Sequence, residues 1–457
     1  MKRFRSYALA AALVALLVLP KVLLRSATAP PPGYIPSRII LTWAGDPART
    51  QAVTWRTEKP LASAQAQLVK LTADPAFEKQ ATTVKGTTEI DDLGGGQSAG
   101  HYAVNFQGLE PSTKYCYRVG DGTVWSEWNV FLTASAKPET FRFLYVGDAQ
   151  NSIKSLWSRS IRAAYATVPD ARFIVHAGDL VAEGYDDRLW GEWSDSLGFI
   201  SAMIPSIPVP GNHDLHRAPG VADSSKVLTA SPLWRRHFSL PQNGPDLEEL
   251  RSQSYYVDYQ GVRLIALDVN VFANEDFVTA AKQHVWDKQL EWLTQTLSKN
   301  PNRWTIVTQH MPLYDVAKGR EYVEMRKALA PLYEKYHVDL VLQGHDHAYA
   351  RTHKVAQDRV VDPSAPGVVY AISVSGPKMY ELEDTYKNLM ATMIGQNQFF
   401  QGIEVAPDHL LFKAYSIDGA VRDSFELRKQ GASPAASIYV NHATVQQPAA
   451  SAKGATK

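Results

Sequence analysis

Five short polar motifs restrict what this chain can fold into: Gly147-Asp148-Ala149-Gln150, Gly178-Asp179, Gly211-Asn212-His213-Asp214, Gln309-His310 and Gly344-His345-Asp346-His347. Each follows an apolar run, at residues 141–146, 171–175, 204–209, 304–307 and 338–342, that is β-branched or aromatic and too short for a helix. Open α/β sheets hold their sites where strands end and the chain leaves the sheet. Five strands that each end in metal-ligand residue types therefore imply one convergent site. Taken singly, Asp148 or Asp179 reads as a helix N-cap after a strand, and Gly-Asn-His-Asp as a turn. Five such accidents in order are improbable.

The residue types narrow the chemistry. Two carboxylates, an amide oxygen and three imidazoles are too many for one tetrahedral zinc, and without thiolates they do not make a structural cysteine site. Two divalent ions about 3.5–4 Å apart need a bridging carboxylate and can share a hydroxide, a strong nucleophile at neutral pH that lies in line with a phosphoester.

In this order the motifs resemble the calcineurin-like metallophosphoesterases, and within them the purple acid phosphatases. The narrower likeness rests on Gly344–Arg351, on a β-sandwich-like module ahead of the catalytic part, and on Ala414-Tyr415-Ser416-Ile417-Asp418-Gly419 near its end. It covers residues 36–428. The resemblance implies an α+β protein, in which a four-layer α/β/β/α sandwich catalytic domain follows an all-β, fibronectin type III-like sandwich. It implies two metal ions, divalent or trivalent (Fe, Zn or Mn). One is bound by Asp148, Asp179 and His347, the other by Asp179, Asn212, His310 and His345. His213 then sits beside the scissile phosphate, donating a proton to the leaving oxygen or hydrogen-bonding the transition state, with Asp214 orienting its imidazole.

Two positions depart from that pattern. The iron-binding phenolate of purple acid phosphatases falls on Ala182, and Tyr185 is not aligned with it. Gln150 stands where many metallophosphoesterases carry a ligand His; its amide oxygen either coordinates the first metal or stays outside the ligand set. The His residues that some relatives place after the lone His are missing, and that loop offers Tyr314, Lys318 and Arg320 to a phosphate instead. His176, in mid-strand, reads as a hydrogen-bonded core residue, and Arg351 as one half of a structural ion pair.

The expected activity is binuclear metal-dependent hydrolysis of phosphate esters, of the acid phosphatase kind, on a phosphomonoester substrate. The alternatives are a phosphodiesterase or nucleotide hydrolase using the same centre, or, in another class, a surface-ligand binding module with a vestigial metal site. With 47 basic against 46 acidic residues, nothing points to a nucleic-acid partner.

The remaining segments set the organisation. Residues 1–29 have the grammar of an export signal: a basic start, an apolar run from about Ala8 to Leu19, and small residues around Ala27-Thr28-Ala29. Left uncleaved, the apolar run is a membrane tether; either way the protein is expected outside the cytoplasm, periplasmic or secreted. Cys116 is the only cysteine, which excludes an intrachain disulfide. Residues 36–137 read as the all-β module, 140–428 as the catalytic domain, and 431–457 as a disordered tail. The Pro-, Ser- and Gly-rich stretch at 215–250 reads as a lid or specificity loop.

Overall fold

The computed structural model describes residues 31–215, 230–273, 278, 280–430 and 436–442. The segment read as signal or anchor lies outside them, and among the described residues no helix is long and apolar enough to cross a membrane.

The N-terminal module is two antiparallel four-stranded sheets face to face. One runs β1 (Ser37–Thr42), β2 (Gln51–Thr57), β6 (Gln97–Phe106), β5 (Thr87–Gly94); the other runs β4 (Thr82–Lys85), β3 (Gln65–Lys70), β7 (Lys114–Gly120), β8 (Asn129–Leu132). Alternate residues such as Leu41, Val53, Trp55, Ala66, Tyr117 and Val119 fill the space between them. At the turn into β7 the Tyr115 hydroxyl accepts the Glu110 N–H at 3.0 Å, closing a tyrosine corner. The module is docked rather than tethered. Arg38 and Arg56 both reach Asp187 of the catalytic part, the Tyr117 hydroxyl donates to the Ala202 carbonyl at 2.6 Å, and Ile40 and Trp43 enter the catalytic core.

The catalytic part contains two seven-stranded sheets. The first runs β11 (Ser206–Val209), β10 (Ile174–Ala177), β9 (Phe141–Val146), β21 (Phe399–Val405), β22 (His409–Ser416), β23 (Val421–Arg428), β24 (Ile438–Asn441); its β9, β10 and β11 are parallel. The second runs β12 (Tyr255–Tyr259), β13 (Val262–Ala266), β14 (Trp304–Thr308), β15 (Leu340–Gln343), β19 (Val369–Ile372), β16 (Tyr349–Thr352), β20 (Met390–Ile394), and β13, β14, β15 and β19 are parallel. A two-stranded ribbon, β17 (Val355–Ala356) with β18 (Arg359–Val360), lies apart.

Strand periodicity explains the layering. In the second sheet Leu264, Ile306, Leu340 and Leu342 pack into one core with β9 and β10, whereas Ile265, Val307 and Val341 join the helices Ala280–Ser298 and Val323–Lys335 on the opposite face. The helices Ser158–Thr167 and Asp187–Leu197 belong to the first sheet's core. The order is helices, sheet, sheet, helices. Strand ends fall one or two residues beyond the apolar runs in several cases, so His176 lies inside β10, buried and 3.3 Å from the Ser206 hydroxyl.

Of the stretch read as a lid or specificity loop, residues 216–229 lie outside the described residues, while 230–250 is anchored by a buried Trp234 whose ring NH donates to the Ser252 carbonyl at 2.8 Å. One sequence expectation changes. The expected disordered tail contains a strand. Ile438–Asn441 pairs with β23, because Tyr439 is buried and its alternating apolar pattern extends the sheet. Arg351, fully buried on β16, binds both carboxylate oxygens of Asp423 on β23, at 2.6 and 2.8 Å, and donates to Asn441 on β24 at 2.8 Å. The pair ties one sheet to the other.

Removing one partner of a buried ion pair leaves an uncompensated charge, at a cost of about 3–5 kcal/mol. Asp423→Asn should therefore lower global stability by that order in denaturant unfolding, with metal stoichiometry of the folded protein unchanged.

Candidate metal centre

The carboxyl ends of β9, β10 and β11 in one sheet and of β14 and β15 in the other point to one place. The structure there brings together Asp148, Asp179, His310, His345 and His347, all buried. They form two groups with ligand atoms within 4.8 Å of one another: Asp179 with His310 and His345, and Asp148 with Asp179 and His347. Asp179 belongs to both. His310 Nε2 lies 3.3 Å from Asp179 Oδ2 and 3.1 Å from His345 Nδ1, and His347 Nε2 lies 3.7 Å from Asp148 Oδ1.

The backbone at these ligands is held in the sparsely populated left-handed region, with φ of 53° at Asp148, 52° at Asp179, 73° at His345 and 47° at His347. Such conformations cost roughly 1–3 kcal/mol each and persist only where the surroundings impose them. Hydrogen bonds across the motifs do so. The His345 N–H donates to both oxygens of Asp148, at 3.0 and 2.9 Å, and the His213 N–H donates to Asp179 Oδ1 at 2.9 Å. The motif glycines make room. A Cβ at Gly211 would stand 2.2 Å from Asp179 Oδ1, and one at Gly178 2.4 Å from the His310 ring.

Each imidazole is turned by its other nitrogen. His310 Nδ1 faces the Ala177 carbonyl at 2.7 Å and His347 Nδ1 the Lys378 carbonyl at 3.0 Å, which leaves Nε2 of both as inward-facing donors to a cation. His345 Nε2 meets the Tyr322 hydroxyl at 2.9 Å and presents Nδ1. Burial together with the neighbouring Asp179 charge pushes Asp148 up to about 8. Burial opposes charge on both Asp179 and His310, yet their mutual attraction holds Asp179 below the usual carboxylate range and raises His310 to about 9. Burial lowers His347 to about 3 and, with Arg320 adding to it, His345 well below its ordinary value. Two buried carboxylates ionise together only with positive charge between them. Among these residues that charge comes from protonating nitrogens that face inward, so the donor set fits metal cations. Asn212 Oδ1, buried with no hydrogen-bond partner, fits the same need.

The other site expectations divide. His213 lies at the partly exposed edge of the cluster, its Nδ1 2.9 Å from the Ala182 carbonyl. Asp214 was expected to orient that ring. Its buried carboxylate instead accepts the backbone N–H groups of Leu180, Val181 and Gly211, stapling two ligand loops together. The reason is local: four residues of turn leave those amides without strand partners. Of the loop residues offered to a phosphate, Tyr314 turns into the core and donates to Asp358 at 2.9 Å, and Lys318 is exposed. Arg320 alone stays near the centre, donating to the His345 carbonyl with its guanidinium 4.8 Å from the Tyr380 ring centroid. Tyr322 and Tyr380 were missed; Tyr380 sits edge-on to His347 at 4.9 Å. No local pattern marks either, since both reach the centre through loop geometry.

Comparison with known proteins agrees with this architecture. Residues 141–349 match the calcineurin-like phosphoesterase family, so the catalytic part carries that domain. Residues 36–133 match the purple acid phosphatase N-terminal domain, so the two domains are the pair found in purple acid phosphatases. Among curated relatives, probable purple acid phosphatase 20 of Arabidopsis thaliana is 26% identical over 255 residues, 55% of this chain and 55% of the relative. Purple acid phosphatase 23 of the same plant is 25% identical over 304 residues, 58% of this chain and 60% of the relative. The match thus spans little more than half the length of these relatives. Among solved structures, a purple acid phosphatase from yellow lupin (Lupinus luteus) seeds superposes with a TM-score of 0.70 at 17% identity, over 86% of this chain and 74% of that one. PhoD superposes with a TM-score of 0.66 at 14% identity, over 92% and 94%. At these identities the two structures speak for the fold alone.

Gly211→Ala should push the Asp179 carboxylate out of register. The expected result is fewer than two metal ions per chain by elemental analysis, with the far-ultraviolet circular dichroism of wild type.

Proposed function

We propose that the protein hydrolyses phosphate monoesters at a two-metal centre. The observation that carries this reading is the membership of Asp179 in both ligand groups, since a shared buried carboxylate holds two cations side by side. Asp148 and His347 complete one position; Asn212, His310 and His345 complete the other. Two ions so held would supply Lewis acidity toward phosphoryl oxygens and lower the pKa of water.

The protein's own groups do the rest. His213, whose Nδ1–H is held by the Ala182 carbonyl, carries a second proton on Nε2 in its imidazolium form and gives that proton to the leaving oxygen. Arg320 adds a positive charge at the rim, where it attracts the substrate phosphate. Tyr322 fixes the His345 ring. The intact donor set argues against a vestigial centre. The signal-like N-terminus supports export, to the periplasm or beyond, with or without retention as a tether.

Purified protein assayed against aryl phosphate mono- and diesters, with metal analysis alongside, tests the reading. Turnover of the monoester with two ions per chain is expected; turnover of the diester alone would replace it with a phosphodiesterase. Asp179→Asn should abolish activity while the fold survives, and activity within a few-fold of wild type would sink the two-metal assignment. His213→Ala should lower kcat by about 10²–10⁴ with metal content unchanged. Loss of an ion in that variant would make His213 a ligand rather than a proton donor.

A further inference from the structure

Gln150 occupies a position whose chemistry the sequence leaves open, and its surroundings decide it. The side chain is 1% exposed, and its backbone N–H is pinned to the Asp179 carbonyl at 3.0 Å. Nε2 lies 2.8 Å from Asp179 Oδ2 and 3.2 Å from His347 Nε2, while Oε1 is buried with no hydrogen-bond partner. Because His347 donates through Nδ1 to the Lys378 carbonyl, its Nε2 is an acceptor. The amide NH2 therefore faces two lone pairs.

Those same lone pairs are the ones that a cation held by Asp148, Asp179 and His347 takes up. With a cation there, the amide would direct its positive end at a positive charge in a water-poor site, where such a contact is strongly repulsive. A half-turn about the last side-chain torsion presents the oxygen instead. The amide's oxygen and nitrogen are nearly the same size, so the turn needs no change in packing. It exchanges one unpartnered atom for another, so hydrogen-bond counting does not decide between the two orientations. The contact between cation and amide dipole does.

Building on the two-metal reading, we infer that Gln150 Oε1 is the fourth protein donor to the ion held by Asp148, Asp179 and His347. That position then has two anionic donors, one of them shared, and two neutral ones. With Ala182 where purple acid phosphatases carry a phenolate, this set suits a divalent first-row ion better than ferric iron.

The test is calorimetric titration of the metal-stripped full-length protein with Mn²⁺, comparing wild type, Gln150→Met and Gln150→Glu. Gln150→Met is close in shape but lacks the amide; Gln150→Glu keeps the oxygen and removes both N–H donors. A ligating oxygen predicts that Gln150→Met weakens one of two binding events by about 10–100-fold, the loss typical of groups that support a metal site, whereas Gln150→Glu binds two ions at least as tightly as wild type. If the NH2 group matters instead, as a donor that positions Asp179, Gln150→Glu fails as Gln150→Met does. That result, or wild-type affinity in Gln150→Met, overturns the inference. A wild-type protein that binds fewer than two ions overturns the two-metal reading instead. Thermal unfolding of each metal-free variant separates a folding defect from a binding one, and Gln150→Asn, which retains the amide but withdraws it, should lose the same single binding event.

Discussion

The centre depends on keeping one carboxylate, that of Asp179, ionised while only 1% exposed. Burial alone would neutralise it, and what prevents that is positive character brought in from two other elements, the His310 ring and the His213 N–H. Neither of these lies on the strand that carries Asp179. The carboxylate therefore keeps its charge only when both sheets are assembled, and folding and site formation become one event.

The two sheets must accordingly be held in fixed relation, since a shift of an ångström would separate the groups that the first sheet contributes from those of the second. Three cross-sheet contacts serve this. The Tyr145 hydroxyl, from the strand that ends in Asp148, bonds the Gln343 backbone just before Gly344. The Tyr255 hydroxyl donates to the Pro208 carbonyl at 2.7 Å, two residues before the Pro210-Gly211 corner. Arg351 and Asp423 close the far side. Two of these three contacts sit within a few residues of a ligand motif. A hydroxyl bonded across an apolar interface is costly to break, because both partners would be left buried and unpaired.

Much of this was legible in sequence because the ligand motifs are local: Gly-Asp at a strand end states residue type, backbone conformation and the space needed for a neighbour at once. Arg351 was readable as an ion-pair residue, although its partner, 72 residues away, was not. The role of Asp214 was misread because adjacency in Gly-Asn-His-Asp suggested contact with His213, whereas the turn carries its carboxylate to the amides of Leu180 and Val181. The strand at Ile438–Asn441 was hidden because four residues between polar stretches carry too little pattern to outweigh their surroundings. Tyr322 and Tyr380 were illegible for a different reason. Tyr322 is placed by a cluster that includes Tyr314 and Tyr386, and Tyr380 by its contacts with His347 and Arg320, and no spacing rule encodes either.

At Ala182 the side chain offers a cation nothing, and the backbone takes the one role the structure shows. Purple acid phosphatases carry a metal-binding phenolate at the place this residue occupies, and a methyl group offers a cation nothing. Its backbone carbonyl nevertheless faces His213 Nδ1 at 2.9 Å, fixing the direction of the ring. That interaction needs the main chain alone, so the identity of the side chain at 182 is free to change without disturbing His213. What the side chain offers at 182 and where the His213 ring sits are thus set by different atoms of one residue. Replacing the side chain at 182 would therefore change what a cation could meet there without moving the His213 ring.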